Sequence, residues 1–393
     1  MGVEGRNEMD NTQIREGLEG VVAATTRLSS VDGEAGVLLL AGFPVEEIAP
    51  RASFEEMTWL LWNGGLPTAA ELEAFRHRLA SRRFLPEAAL ELLREAARRR
   101  VPAMDALRMA AGALSLAEGA GEDPKADALL LTATFPTIVA SYWRLLRGEK
   151  PLRPREDLGH AANFLFLLSG EEPSPERARG LETYLNTVTD HGLNASTFTA
   201  RVIVSTRSDL ISAVTGAVGA LKGPLHGGAP GPALDMVFEI GTPDRAEAVL
   251  REKLDRGERL MGFGHRVYRV RDPRADVLAA AAERFYNLGG DRGLYELARS
   301  VEATALRLLR ERKPDRRLDT NVEFYTALLL HGLGMPTDLF TPTFAVGRVA
   351  GWTAHALEQL AAGRLIRPQS VYVGERDRRW VPVEERSALL AER

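Results

Sequence analysis

The chain has 393 residues, 45% of them hydrophobic and 26% charged, with a formal net charge of −4 and no cysteine. That is ordinary globular composition, long enough for two or three domains or for one large domain with a smaller one, and it lacks the basic excess that nucleic acid or an anionic membrane surface calls for. The missing cysteines exclude disulfide scaffolds, thiolate-bound zinc, iron–sulfur clusters and thiol nucleophiles; together with a charged first stretch that has no apolar block, they lead us to expect a cytoplasmic protein.

Taken in chain order, the first element is a β-hairpin. Residues Thr25 to Val31 and Gly36 to Leu40 flank Asp32-Gly33, a hairpin signal. Everything after it reads as helix. Ser53-Phe54-Glu55-Glu56 and Thr68-Ala69-Ala70-Glu71 have the form of capping boxes. Leu85 to Arg100 reads as a helix with a solvated charged face. Ala128 to Trp143 is the apolar stretch nearest to membrane-spanning length, but it holds Pro136 and several threonines and reads as a buried helix. Ser174-Pro175 and Thr242-Pro243 each set a cap residue before a proline at the first helical position. Thr341-Pro342 opens a long helix to about Ala362, with Phe344, Val346, Val349, Trp352, Ala356 and Leu360 on one face. The expected fold is mostly α, without internal repeats.

Two glycine-rich segments interrupt the helices: Leu221 to Pro232, and Met261-Gly262-Phe263-Gly264-His265. Glycine lets backbone approach a ligand closely or adopt positive φ, and functional residues concentrate on such loops. Three histidines lie in distinctive surroundings: His191 in Asp190-His191-Gly192-Leu193-Asn194, His226 in Gly223-Pro224-Leu225-His226-Gly227-Gly228, and His265 after Gly264. The other four, His77, His160, His331 and His355, read as surface or packing residues. No HxH or HExxH pattern supports a metal, so none is expected. No P-loop, dinucleotide fingerprint or GxSxG nucleophile elbow is present either. Arg274 follows Asp272-Pro273, Arg348 lies inside the apolar helix, and Arg367 precedes Pro368. A buried guanidinium needs an anionic partner. Arginine forks match carboxylates bidentately, so several of them near histidines suggest a dicarboxylate pocket.

At these residues the sequence resembles the citrate synthase family. The resemblance rests on Asp190–Phe198, Lys222–Ala229, Gly262–Tyr268, Asp272–Arg274, Asn321–Tyr325, Leu339–Pro342, Arg348–His355 and Arg364–Pro368, with Gly17–Ala23 and Leu60–Gly64 near the start. It covers nearly the whole chain in order. It implies a citrate synthase-like, mostly helical two-domain fold acting as a homodimer of the shorter type. Residues 1–227 and 334–393 would form a large domain with a C-terminal arm, and 228–333 a small domain. It also implies condensation of acetyl-CoA with oxaloacetate followed by thioester hydrolysis, with no cofactor beyond the acyl-CoA substrate.

By the same resemblance His226 donates to the thioester carbonyl, His265 polarises the oxaloacetate ketone, and Glu323 occupies the position of the base. His191, Arg274 and Arg348 hold substrate carboxylates, and Arg367 is the arginine lent by the partner subunit. Met261, Gly262, Phe263 and Gly264 are expected to meet the coenzyme A adenine, and Arg269, Arg271 and Lys313 its phosphates.

The departure that matters is Glu323, where the family usually has aspartate. Gly192, Ala41 and Pro230-Gly231 also differ from the usual residues. One extra methylene moves the carboxylate by up to roughly 1.5 Å, about one C–C bond, and a displacement of about 1 Å can cost on the order of 100-fold in rate. Three readings stay open: the local backbone compensates, the pocket takes another acyl-CoA or 2-oxo acid such as the propionyl-CoA of 2-methylcitrate synthesis, or the chain is a weakly active paralogue that binds coenzyme A or a dicarboxylate.

Overall fold

Helices make up nearly all the regular structure, and most begin where the sequence offers a cap. The computed structural model describes residues 15–227, 231–265 and 267–386. The expectations placed on residues 228–230, Pro230 among them, and on Arg266 lie outside the described residues. Strand β1 (Ser29–Asp32) pairs antiparallel with β2 (Val37–Leu40), Ser29 opposite Leu40 and Asp32 opposite Val37. The Asp32 carboxylate closes the turn by accepting the N–H groups of Glu34 and Ala35. A third strand, β3 (Phe43–Pro44), returns along β2. It is two residues long, too short to carry the period-2 signal from which strands are read.

The helices of the first half are α1 (Val45–Ile48), α2 (Phe54–Asn63), α3 (Ala69–Ser81), α4 (Glu87–Arg98), α5 (Ala103–Ala113) and α6 (Pro124–Leu146). They are followed by α7 (His160–Ser169), α8 (Pro175–Thr187), α9 (Ala195–Ser205) and α10 (Leu210–Leu221). Both capping boxes form, at Ser53 and at Thr68. α4 turns Ala89, Leu93, Ala96 and Ala97 inward, while Arg94, Arg98 and Arg99 pair with glutamates on its outer face. α6 is long and apolar enough to cross a membrane, but it is mostly buried inside the protein, as expected of a core helix.

The second half contains α11 (Gly231–Ile240), α12 (Ala246–Asp255), α13 (Pro273–Asn287), α14 (Arg292–Arg312), α15 (Val322–Gly332) and α16 (Phe340–Ala362). Two expected starts differ. Thr341 is not a cap: a 3₁₀ turn, Thr337–Leu339, runs straight into α16 at Phe340, and the Thr341 hydroxyl donates to the Gly227 carbonyl instead. Thr242-Pro243 opens a 3₁₀ turn, and α12 begins only at Ala246.

Helix α16 is the axis of the larger group of helices, packed against α2, α6, α8, α9 and α10. α11 to α15 pack on one another, and α13 also lies against α8 and α1. Beyond Ala362 the chain is extended and exposed, with Val373 and Trp380 largely in solvent. Of the histidines expected to pack, His160 is buried and stacks on Phe54, whereas His331 is exposed and meets Phe238 edge-on at the surface; His77, expected at the surface, is exposed.

Two glycines decide how closely α16 meets the segment after α8. A Cβ at Gly351 would lie 2.0 Å from the Thr189 carbonyl oxygen, and one at Gly347 would lie 2.8 Å from that of Leu185. Backbone oxygens cannot move aside without shifting the segment. Gly351→Ala is therefore expected to destabilise the protein by about 1–3 kcal/mol, the usual range for overpacking, read from urea unfolding. Unchanged unfolding would show that the approach is not required.

Candidate active site

Segments far apart in sequence meet in one cleft of about 780 Å³, lined among others by His191, His226, His265, Arg274, Glu323 and Arg348. The two arginines and the glutamate are set by helices. Arg348 projects from the middle of α16, Arg274 from the first turn of α13, and Glu323 from the first turn of α15. The histidines sit on the short connections that precede or follow helices. The N-terminal segment also reaches the cleft through Leu18 and Val21.

The hydrogen bonds fix which nitrogen of two imidazoles carries the proton. The Nδ1 of His265 accepts from the backbone N–H groups of Val267 (3.0 Å) and Tyr268 (3.1 Å). A nitrogen that accepts holds no proton, so the neutral ring is protonated on Nε2. That Nε2 lies 3.3 Å from Nη2 of Arg274. Two donors side by side have nothing to offer each other and suit an oxygen placed between them. For His226, the Ser196 N–H donates to Nε2 (3.3 Å), and the Ser196 hydroxyl lies 2.7 Å from the same nitrogen. The ring proton is thus on Nδ1. Burial, helped by the Arg348 charge, lowers the His226 pKa to about 4. Burial and Arg274 bring His265 to about 4 as well. Both rings are therefore neutral donors at pH 7, not cations. His191 is also held well below its ordinary value, by burial and then by Arg274, Arg348 and His265. Its Nε2 lies 3.1 Å from the Tyr268 hydroxyl.

The two arginines differ in their partners. Arg274 makes a two-point contact with Asp272, Nε to Oδ1 at 3.0 Å and Nη2 to Oδ2 at 2.8 Å. Asp272 also caps α13 by accepting the Arg274 N–H. Arg348 is 1% exposed. Its Nε donates to the Val188 carbonyl at 2.6 Å, and its guanidinium lies over the Phe344 ring. Among the described residues no carboxylate pairs with it. Burial lowers its pKa to about 10, with Asp190 opposing the shift. A buried cation that faces a cleft and has no carboxylate partner of its own among the described residues is a seat for an anionic ligand.

Glu323 is the carboxylate of the site. Asn321 caps α15 by accepting the Glu323 N–H at 2.9 Å, which fixes the backbone from which the side chain leaves. Burial raises its pKa to about 7, Arg274 opposing. A carboxylate poised at that value is a good general base at neutral pH.

The glycine segment Met261–Gly264 lies alongside Asp319–Asn321. Gly264 N–H donates to Asp319 O (2.7 Å), Asn321 N–H to Gly262 O (2.9 Å), and the Asn321 side-chain amide to Gly264 O (2.8 Å). Gly262 and Gly264 have φ of +86° and +82°, which suits glycine. In this pairing Phe263 faces Thr320 without exchanging backbone bonds with it, and among the described residues no backbone group bonds its N–H or C=O. The segment therefore holds Asn321 and through it Glu323, and turns the Phe263 backbone away from Thr320. Met261 itself is exposed.

One of the three expected phosphate contacts diverges. Arg271 donates to Asp276 (2.5 Å) and Glu302 (2.9 Å), so its guanidinium is engaged between α13 and α14. That corrects its expected role. Arg269 and Lys313 are exposed. Arg367 is exposed on the extended segment after α16 and does not line the cleft of its own chain. Sequence reading also missed two residues. Ser196 orients His226, and Trp352 donates from Nε1 to the Ser196 hydroxyl at 3.0 Å. Ser196 was one polar residue within a quoted motif and Trp352 one of an apolar face. Only their meeting gives them this task.

Residues 17–369 match the family model described as citrate synthase, C-terminal domain. A citrate synthase of Haloferax volcanii is 44% identical, over 95% of this chain and 99% of that protein. A 2-methylcitrate synthase of Mycobacterium tuberculosis is 41% identical, over 94% of this chain and 93% of that one. The crystal structure of citrate synthase from Pyrobaculum aerophilum superposes with a TM-score of 0.85 at 39% identity, covering 95% of each chain.

The site itself generates one expectation. The Glu323 carboxyl titrates at about 7, against about 4.3 for a solvated glutamate. Carboxyl carbon NMR of glutamate-labelled protein, assigned by the signal lost in Glu323→Gln, measures it. A titration near the ordinary value would mean that the cleft solvates this group.

Proposed function

The chain belongs to the citrate synthase family, and from that premise we propose that it condenses acetyl-CoA with oxaloacetate and hydrolyses the resulting thioester to give citrate and coenzyme A. The observation that carries the reading is the trio of a carboxylate with a pKa of about 7 and two neutral histidines whose protons sit on known nitrogens.

In this reading the Glu323 carboxylate takes a proton from the acetyl methyl group. That proton is weakly acidic, so the charge growing on the thioester oxygen must be met at the same moment. His226, held through Ser196, would donate to it from Nδ1. A neutral donor matches the thioester oxygen without leaving a charge buried once the step is over. The enol carbon then attacks the ketone carbon of oxaloacetate. The ketone oxygen would bridge His265 Nε2–H and Arg274 Nη2 from one side, accepting from both nitrogens, which lie 3.3 Å apart. Arg274, Arg348 and His191 would hold the carboxylates. Water finally attacks the citryl thioester and releases the thiol. No cofactor is called for, because the acyl-CoA is itself a substrate.

The reading extends to assembly. The exposed arm with Arg367 would complete the site of a partner subunit in a homodimer, working in the cytoplasm. Residues 228–333 would form the small domain and swing on the rest to shut the cleft over oxaloacetate, which would strengthen each of these interactions by excluding water. Coenzyme A would run its adenine along the backbone at Phe263. The relatives named 2-methylcitrate synthase favour a second reading, in which propionyl-CoA replaces acetyl-CoA in the same chemistry.

The test is thiol release from acetyl-CoA and from propionyl-CoA with oxaloacetate, in a protein that adds no thiol of its own. Faster turnover of acetyl-CoA is expected; preference for propionyl-CoA moves the substrate to the second reading, and silence with both rejects the chemistry. Glu323→Gln should lower kcat by about 10²- to 10⁴-fold, the usual share of a general base, with oxaloacetate binding retained. In the unsubstituted enzyme kcat/KM should rise with pH through about 7, because only the deprotonated carboxyl accepts the proton. A flat profile from pH 6 to 8 would remove Glu323 as the base.

A further inference from the structure

Directly behind His191 lies a buried polar chain that the reaction does not touch. Asp190 and His355 are both fully buried. Arg201 donates from Nη1 to Nδ1 of His355 at 2.9 Å. A guanidinium can only donate, so Nδ1 accepts and the ring proton is on Nε2. That Nε2–H points at Asp190, 3.1 Å from Oδ2 and 3.2 Å from Oδ1. Asp190 Oδ2 also accepts the Ser29 hydroxyl at 2.6 Å, and the Ser29 oxygen in turn accepts the Gly192 N–H at 2.8 Å. The charge of Arg201 is met by Glu358 at 2.7 Å.

The three-residue stretch 190–192 is thus held at both ends, from α16 by His355 and from β1 by Ser29, and His191 is the residue in between. A buried ionic chain of this kind is a poor way to add stability, since a well-packed apolar core does as well or better. Its worth lies in fixing geometry. The backbone around His191 has no helix or strand to define it, and Gly192 adds the freedom of a glycine at φ +60°.

We propose that His355, Asp190 and Ser29 are positioning residues that fix the His191 loop and thereby set the affinity of the cleft for oxaloacetate. This rests on the reading of the cleft as an oxaloacetate site. The relay acts on ground-state binding: it holds a residue that grips a carboxylate and is remote from the proton transfers at Glu323 and His226.

The experiment compares His355→Leu, His355→Gln and Ser29→Ala with the unsubstituted protein, by calorimetric titration with oxaloacetate, by kinetics of thiol release and by thermal melting. His355→Leu should weaken oxaloacetate binding and raise its KM by about 10- to 100-fold, as loss of an outer partner does at other sites. Its kcat at saturating oxaloacetate and its KM for acetyl-CoA should stay within about threefold, since neither depends on the loop. His355→Gln restores an N–H toward Asp190 and should recover most of the affinity, which a purely structural role would not require. Ser29→Ala, at a partly exposed site, should lose affinity in the same direction and carries the test if His355→Leu does not fold. The proposal is overturned if the folded variants bind oxaloacetate as the unsubstituted protein does, or if kcat falls while affinity holds. A protein that binds oxaloacetate but releases no thiol would reject the reaction and leave the positioning inference standing.

Discussion

The contact between α16 and the segment 185–190 is the constraint on which the rest of the site depends. Gly347 and Gly351 let two backbones approach to a distance that any side chain would prevent. Because they do, successive turns of one helix reach the segment 185–190 and the start of α9 beyond it. Arg348 bonds the Val188 carbonyl, Trp352 reaches Ser196, and His355 reaches Asp190. Those positions recur at about the helical period, so one rigid rod sets three features together. It places the unpaired cation, fixes the serine that orients His226, and braces the loop of His191. Helix α6, which packs against α16, gives that rod an apolar wall.

Electrostatics in the cleft follow from burial more than from pairing. Burial, with the two arginine charges adding to it, holds the histidines neutral, and burial lifts the glutamate. Each shift has the sign that the chemistry of an enol needs: donors that do not bring charge, and a base that is half-deprotonated near neutrality. The same arginines do not make Glu323 an ordinary ionised carboxylate, because burial outweighs the Arg274 charge. Asp272 holds the Arg274 guanidinium at two points while capping α13, a double task visible only from its partners.

Positioning of Glu323 shows how backbone geometry meets a longer side chain. Asn321 is fixed from both sides, by its cap bond to Glu323 and by its bonds to Gly262 and Gly264. Thr320 is tied to Glu302, which also takes the Tyr325 hydroxyl and Arg271. The first turn of α15 is thereby clamped by a buried carboxylate below and a glycine segment beside it. Arg271 belongs to that clamp, and its service there explains why it is not free for a phosphate.

Much of this was legible in the sequence. Capping boxes, the core helix at Pro136, the hairpin and the helix carrying Arg348 follow from short-range patterns: spacing, cap chemistry and turn residues act within a few positions and are written locally. Of the six cleft residues, the three glycine-flanked histidines and Arg348 were legible because they are locally anomalous, whereas Glu323 was singled out only through the family resemblance. What the sequence could not give was which neighbours each would meet. Ser196, Trp352, Asp272, Ser29 and His355 look bland in their own windows, and Arg271 looks free. Their roles arise from contacts between residues as far as 165 positions apart, which no local pattern encodes. The sequence by itself determined the elements and the reactive side chains; tertiary structure alone decided protonation, orientation and pairing, because those depend on burial and on partners that only packing brings within hydrogen-bond distance.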